Sequence, residues 1–220
     1  MARKRGGSFP YDDEMPTHHA APARSGAGAR STAALLGQFL SRPHVIGAVS
    51  PSSRHLAERM VEDLDLANAR AVLEYGPGTG VFTDAIVPRL GQETRFVAIE
   101  LNPVMARVVG ERHPRVRLRN DSVEHARRIC DEEGIDRVDA IISGLPWASF
   151  GAELQRRILT GVTEVLRPGG VLVTFGYHVG TWLPAGRRFY ASLPGYFSKI
   201  ERSGLVWRNV PPAFVVRCTR

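Results

Sequence analysis

Cysteine is scarce in this chain: two residues, Cys130 and Cys218, among 220. They show no metal-binding spacing and no disulfide framework, and they suit reduced residues in a cytoplasmic protein. The seven histidines form no H-E-x-x-H or comparable ligand set, so no metal is expected. No apolar run approaches the roughly 20 residues needed to span a bilayer. The first residues are charged and lack an apolar core, which argues against a secretory signal. No internal repeat is visible. Acids are also in short supply, 22 against 29 bases, for a net charge of +7 and a pI of about 10.1. Such an excess favours an anionic partner, either nucleic acid or an anionic membrane surface, and does not by itself choose between them.

What is present suits one globular domain with a tail. The hydrophobic fraction is 43%, ordinary for a soluble fold. Residues 1–30 are rich in Ala, Gly, Pro and Arg without hydrophobic period, and read as a disordered basic tail. Residues 31–64 read as entry helices. Ser31 offers a cap, Leu35, Leu36, Phe39 and Leu40 form one apolar face, and Pro43 ends the first helix. That helix either packs on the core or lies in a membrane interface, with Arg30, Arg42 and the Arg3-Lys4-Arg5 cluster against headgroups. A second helix is expected after Ser50 as cap and Pro51 as first residue, with Leu56, Met60, Val61 and Leu64 on its apolar face. Residues 65–220 form the main domain, in which strands and helices alternate. Leu154, Ile158, Leu159, Val162 and Leu166 mark a helix stopped by Pro168-Gly169-Gly170.

The most informative run is Ala71-Val72-Leu73-Glu74-Tyr75-Gly76-Pro77-Gly78-Thr79-Gly80. An apolar strand ends near an acid, a glycine-rich turn follows, and a helical pattern begins at Val81. Strand, tight loop and helix are the order that holds a nucleotide-like ligand at a strand's carboxyl end. The spacing is G-x-G-x-G, not the dinucleotide G-x-G-x-x-G, and the acid precedes the glycines. That acid can meet a cationic amine, as in S-adenosylmethionine, which has no phosphate to cradle. Further acid-terminated strands follow: Arg95 to Glu100, then Val116 to Asp121 and Ser122. Glu100 stands about 20 residues past the loop, the distance of a ribose-binding acid. Val138 to Ser143 is a fourth strand, followed by Gly144-Leu145-Pro146-Trp147, and Val171 to Phe175 a fifth.

This pattern resembles the class I S-adenosylmethionine-dependent methyltransferases. The resemblance implies a Rossmann-like α/β fold: a mostly parallel seven-stranded sheet with helices on both faces, plus an N-terminal helical extension. It implies that Glu74, Tyr75, Gly76, Gly78, Thr79 and Gly80 line the methionine end of the cofactor. Glu100, with Leu101 beside it, would accept from the ribose hydroxyls. Asp121 would bond the adenine amine while Ser122 caps the next helix, and Ser143 and Gly144 would lie below the sulfonium.

Two acceptor classes compete. Gly144-Leu145-Pro146-Trp147 resembles the Asn-Leu-Pro-Tyr turn of rRNA adenine dimethyltransferases, where the aromatic would stack on a flipped base. Here Ser143-Gly144 replaces the asparagine, and no helical C-terminal domain like that of those enzymes is expected from the residues after the fifth strand. A resemblance over nearly the whole chain is to the bacterial phospholipid N-methyltransferases. It rests on Val45-Ile46-Gly47-Ala48-Val49-Ser50-Pro51-Ser52-Ser53, on Leu73 to Gly80, on Ser143-Gly144-Leu145-Pro146 and on Val206-Trp207-Arg208-Asn209-Val210-Pro211-Pro212-Ala213. It departs at Tyr75, at Trp147-Ala148 and at Phe175-Gly176-Tyr177, where the hydroxyl is shifted to Tyr177. It implies methylation of phosphatidylethanolamine toward phosphatidylcholine, or of another amino lipid such as an ornithine lipid. The setting would be the inner face of a bacterial membrane, on an anionic surface and without nucleic acid. Carbonyls of Ser143, Gly144, Leu145 and Pro146 would orient the amine, and Tyr177 or His178 would relay its proton. Trp207 reads as core, with a cage for a methylated ammonium as the alternative. A membrane-binding module with a vestigial fold is the non-enzymatic reading, and the complete set Glu74, Gly78, Glu100 and Asp121 argues against it.

Overall fold

A computed structural model describes residues 52–220, apart from the side chain of Val179. The expected tail, the helix after Ser31 and the cap at Ser50 lie outside the described residues. The first described helix, α1 (Arg54–Val61), starts later than the Ser50-Pro51 pair suggests. Its cap is Ser53, whose hydroxyl accepts from the Leu56 N–H at 3.2 Å. Leu56, Ala57, Met60 and Val61 are buried on one face of this helix.

Seven strands follow: β1 (Ala71–Tyr75), β2 (Arg95–Ile99), β3 (Arg117–Arg119), β4 (Val138–Ser143), β5 (Leu166–Tyr177), β6 (Lys199–Arg202) and β7 (Ala213–Thr219). They form one sheet in the order β3-β2-β1-β4-β5-β7-β6. β1 to β5 pair in parallel, while β7 runs antiparallel between β5 and β6. The crossover helices are α2 (Val81–Ile86), α3 (Pro103–Arg112), α4 (Ala126–Glu132), α5 (Ala152–Val165) and α6 (Pro184–Ser192). Their placement follows from alternation along the strands. Leu73 and Tyr75 of β1 join a core layer with Ile129 of α4, Ile158, Leu159 and Val162 of α5, and Phe189 of α6. Val72 faces the other layer, with Leu56 and Met60 of α1 and Phe82 and Ile86 of α2.

The expected Pro168-Gly169-Gly170 stop proves to be part of β5. α5 ends at Val165, and Leu166 already pairs with Val138. Gly169 and Gly170 are tied to the last residue, with Gly169 N–H donating to Arg220 O and Arg220 N–H to Gly170 O, both at 2.9 Å. Backbone pairing across the sheet thus overrides the local turn chemistry.

The order matters for function because the chain builds β1, β2 and β3 to one side, then returns to place β4 on the other flank of β1. In an open sheet of this order the ligand crevice falls at the carboxyl ends, where the direction reverses. Tyr75 is level with Ser143 on one side and Ile99 on the other. The β1 loop and the β4 turn therefore face each other.

The β4 turn is anchored by Trp147, which is buried and stacked on Phe189 with ring centroids 4.4 Å apart. Its indole N–H donates to Thr174 Oγ1 at 3.0 Å, and Thr174 Oγ1 donates to Ser143 O at 3.2 Å. We expect Trp147→Phe to cost about 1–3 kcal/mol, the penalty for leaving the buried Thr174 oxygen without its donor. Urea unfolding with an unchanged m-value measures it.

Candidate functional site

Glycines shape the crevice. Gly76, Gly78 and Gly80 all have positive φ, at 67°, 57° and 86°. The Gly76 N–H donates to Ile99 O at 2.9 Å, and the guanidinium of Arg112 holds Thr79 O at 3.1 Å. Across the crevice the Gly144 N–H donates to Tyr75 O at 2.8 Å. A Cβ on Gly144 would stand 2.6 Å from Gly76 O, whereas one on Gly78 would meet nothing within 4 Å. The loop is thus closed toward β4 and open above Gly78.

Glu74 lies beneath the loop with no exposed surface. Its Oε2 accepts from Thr83 Oγ1 at 2.8 Å. Its Oε1 is buried without a partner among the described residues. Burial pushes its pKa up to about 8, with the Thr83 hydrogen bond opposing and the charges of Glu100 and Asp84 adding to the rise. A buried carboxyl with an idle oxygen is a receptor for a cationic or N–H donor.

Glu100 follows β2 and is also buried. Its two oxygens each accept one backbone N–H, from Gly78 at 3.0 Å and from Asn102 at 2.8 Å. Burial raises its pKa against these hydrogen bonds. A carboxylate has about four acceptor positions, so two remain for hydroxyl groups. Asp121 Oδ1 meets the Ser122 N–H at 2.7 Å and His125 Nδ1 at 2.8 Å, and Oδ2 pairs with Arg128. Burial works against ionisation there, but these donors outweigh it and hold the carboxyl below its usual range. Ser122 caps the short 3-10 turn Val123–His125, as expected of it. Leu101 packs at the edge of the core.

These residues fit S-adenosylmethionine. The idle Glu74 Oε1, the open space above Gly78 and the spare acceptor positions of Glu100 lie along one crevice. Glu74, Gly76, Gly78, Thr79 and Gly80 would hold its methionine end, and Glu100 its ribose. Tyr75 differs from expectation. Its side chain is sealed in the core with no partner for its hydroxyl among the described residues, so it offers the crevice only its backbone.

The β4 turn also refines the expected set. Three of its four carbonyls are already engaged: Ser143 O by Thr174, Leu145 O by the Trp147 N–H and Pro146 O by the Ser149 N–H. Gly144 O has no donor among the described residues. The Leu145 side chain is buried and packs toward Gly76. Trp147 is committed to Phe189 and Thr174, so it cannot stack on a flipped base without leaving the core.

Three separate sequence blocks meet at the end of β5. Burial pushes the Tyr177 pKa up to about 12, with the Ser52 side chain opposing the rise. The Ser53 N–H donates to Asn209 Oδ1 at 2.8 Å, and Asn209 Nδ2 donates to Pro211 O at 2.7 Å. The His178 N–H donates to Pro212 O at 3.0 Å, while its ring is exposed beside Trp182. Trp207, read from sequence as core, is 72% exposed. Sequence reasoning missed Thr83, Asn102, Arg112 and the hub role of Asn209. Only Asn102, standing before Pro103, carried a readable signal, that of a helix cap.

Two variants test the crevice. Gly78→Val should abolish S-adenosylhomocysteine binding by calorimetry, since it fills the open space and strains a positive-φ position. Glu74→Gln should weaken binding while stabilising the free protein at alkaline pH. In the unfolded chain this carboxyl ionises near 4.5, whereas folded Glu74 keeps its proton up to about 8. Between those values the folded state binds more protons, so the wild type loses stability as pH rises. The gain in Tm of Glu74→Gln should be largest near pH 8 and shrink toward about pH 5.

Residues 72–170 match the family model described as a methyltransferase domain. The ornithine lipid N-methyltransferase of Singulisphaera acidiphila is 33% identical over 187 residues, covering 83% of this chain and 93% of that protein. A tRNA (guanine-N(7)-)-methyltransferase of Corynebacterium diphtheriae is 32% identical over 152 residues, and the match covers 64% of this chain and 56% of that one. An O-methyltransferase of Bacillus cereus in complex with S-adenosylhomocysteine superposes with a TM-score of 0.60 at 16% identity, over 86% of this chain and 91% of that one. The fold, the crevice and these likenesses agree: the chain belongs to the class I S-adenosylmethionine-dependent methyltransferases, in the same family as the Singulisphaera enzyme.

Proposed function

We propose that this methyltransferase N-methylates the primary amine of a membrane amino lipid. The observation that carries the reading is the reach of the likeness to the ornithine lipid enzyme, which extends far beyond the cofactor crevice to 83% of the chain. The tRNA enzyme matches over less of the chain, and the buried Trp147 leaves no aromatic platform on the β4 turn. The relative's name moves the expected acceptor from phosphatidylethanolamine toward an ornithine-type headgroup. Both offer an unhindered primary amine on a short tether.

When bound, S-adenosylmethionine supplies an electrophilic methyl group on a sulfonium. The chain's task is to present an unprotonated amine. Amines of this kind resemble lysine, with a pKa of about 10.4, and are protonated at neutral pH. Desolvation in the crevice favours the neutral form. Gly144 O accepts an amine N–H and so aims the lone pair. The Tyr177 phenol stays neutral at pH 7 because burial pushes its pKa up to about 12. It therefore acts as a hydrogen-bonding positioner and not as the base. The exposed His178 ring takes the proton to bulk water.

Transfer of label from S-adenosylmethionine should appear in ornithine lipid or phosphatidylethanolamine presented in mixed vesicles. Tyr177→Phe should lower kcat about tenfold, the scale of one lost positioning contact, with S-adenosylhomocysteine affinity kept. Label in guanine or adenine of unmodified RNA, with none in either lipid, overturns the proposal.

A further inference from the structure

Beside the crevice the carboxyl edge of the sheet carries an apolar rim. Trp182 and Trp207 are each 72% exposed, Leu183 is 50% exposed and Val210 73%. They belong to two loops. Trp182 ends the 3-10 turn that follows β5, and Leu183 comes next. Trp207 and Val210 lie between β6 and β7, in a loop that rejoins the sheet where Ala213 pairs with Tyr177. The bond from His178 N–H to Pro212 O ties the two loops together. Both therefore border the end of β5, where Tyr177 and His178 sit.

The segment that carries this rim is almost wholly basic in its charge. Between Val165 and Arg220 the sequence holds a single acid, Glu201, and Glu201 pairs with Lys199 at 2.9 Å on β6. Arg187 and Arg188 on α6 and Arg208 beside Trp207 are exposed. Indole rings favour the boundary between water and acyl chains, and neighbouring cations favour anionic headgroups. RNA would also attract the arginines and could stack on indoles. It offers nothing to Leu183 and Val210, whereas an acyl boundary removes both from water.

We propose that this rim is a membrane-docking face. Trp182, Leu183, Trp207 and Val210 enter the headgroup–acyl boundary of an anionic bilayer, and Arg187, Arg188 and Arg208 meet its phosphates. The proposal deepens the amino-lipid reading, because docking in this pose turns the mouth of the crevice toward the headgroups. Its test needs no amino lipid, so the two can fail separately.

The full chain is mixed with vesicles of phosphatidylglycerol and phosphatidylcholine, with and without brominated acyl chains. Of the three tryptophans, Trp147 is buried and should report a constant background. Emission from Trp182 and Trp207 should shift to shorter wavelength and be quenched by the brominated lipid. The double variant Trp182→Ala, Trp207→Ala should lose vesicle binding by about tenfold or more, since affinity follows the apolar area buried. Arg187→Glu with Arg188→Glu should weaken binding and flatten its salt dependence. S-adenosylhomocysteine affinity and Tm should stay at wild-type values in both variants. Unquenched emission on bound vesicles, or equal vesicle binding by the tryptophan variant, overturns the proposal. So does emission already shielded from iodide in buffer, which would mean that the chain's own residues cover the rim. Loss of transfer-RNA binding in the tryptophan variant, with vesicle binding intact, would assign the rim to nucleic acid.

Discussion

Two backbones touch at the centre of this molecule. The β4 turn approaches the β1 loop so closely that a single methyl group on Gly144 would collide with Gly76 O at 2.6 Å. The contact is held by the bond from Gly144 N–H to Tyr75 O and, one strand over, by that from Gly76 N–H to Ile99 O. Everything on the carboxyl edge is positioned by it. The loop must rise over Glu74, the turn leaves Gly144 O without a donor among the described residues, and Trp147 must dive into the core to hold the turn down. Flexible packing could not serve here, because the crevice lies between rigid strand ends whose spacing is set by the sheet itself.

Glu74 shows how the site and the stability of the fold pull against each other. Keeping a carboxyl fully buried with one oxygen idle costs on the order of a few kcal/mol at neutral pH, against a total stability of roughly 5–15 for a domain of this kind. No structural partner recovers that cost among the described residues, since Thr83 serves only the other oxygen. A group so expensive is explained by a ligand that meets it. Glu100 differs. Its oxygens are engaged by backbone N–H groups of the loop and of the α3 cap, so it braces the crevice even before it meets a hydroxyl.

Much of this was legible in the amino-acid order because it is local. The β1 pattern, the glycine loop, Glu100 at the end of β2 and the apolar face of α5 up to Val162 each reveal themselves within a dozen residues, and the structure places them as read. The features that were not legible depend on distant partners. Trp207 departs from its expected setting and Trp147 has a deep one that its turn alone does not announce, since burial of an aromatic is decided by what lies opposite: Phe189 and Thr174 for Trp147, solvent for Trp207. The Pro-Gly-Gly segment spells a turn locally, yet Arg220 draws it into the sheet. Asn209 looks like any loop asparagine until Ser53 arrives from the other end of the described chain.

That last bond joins residues 156 positions apart. The cofactor crevice, by contrast, has its last described anchor once the chain has passed Phe189, on which Trp147 of the β4 turn stacks. During synthesis the two halves of the site therefore mature at different moments. A nascent chain can assemble the crevice around the β1 loop and the β4 turn while its last residues, β7 among them, are still being made. The edge around Tyr177 closes only after Asn209 and β7 have left the ribosome, because Ser53 has nothing to hold until then. The order of translation thus imposes an order on assembly, in which the pocket for the methyl donor precedes the edge proposed for the acceptor.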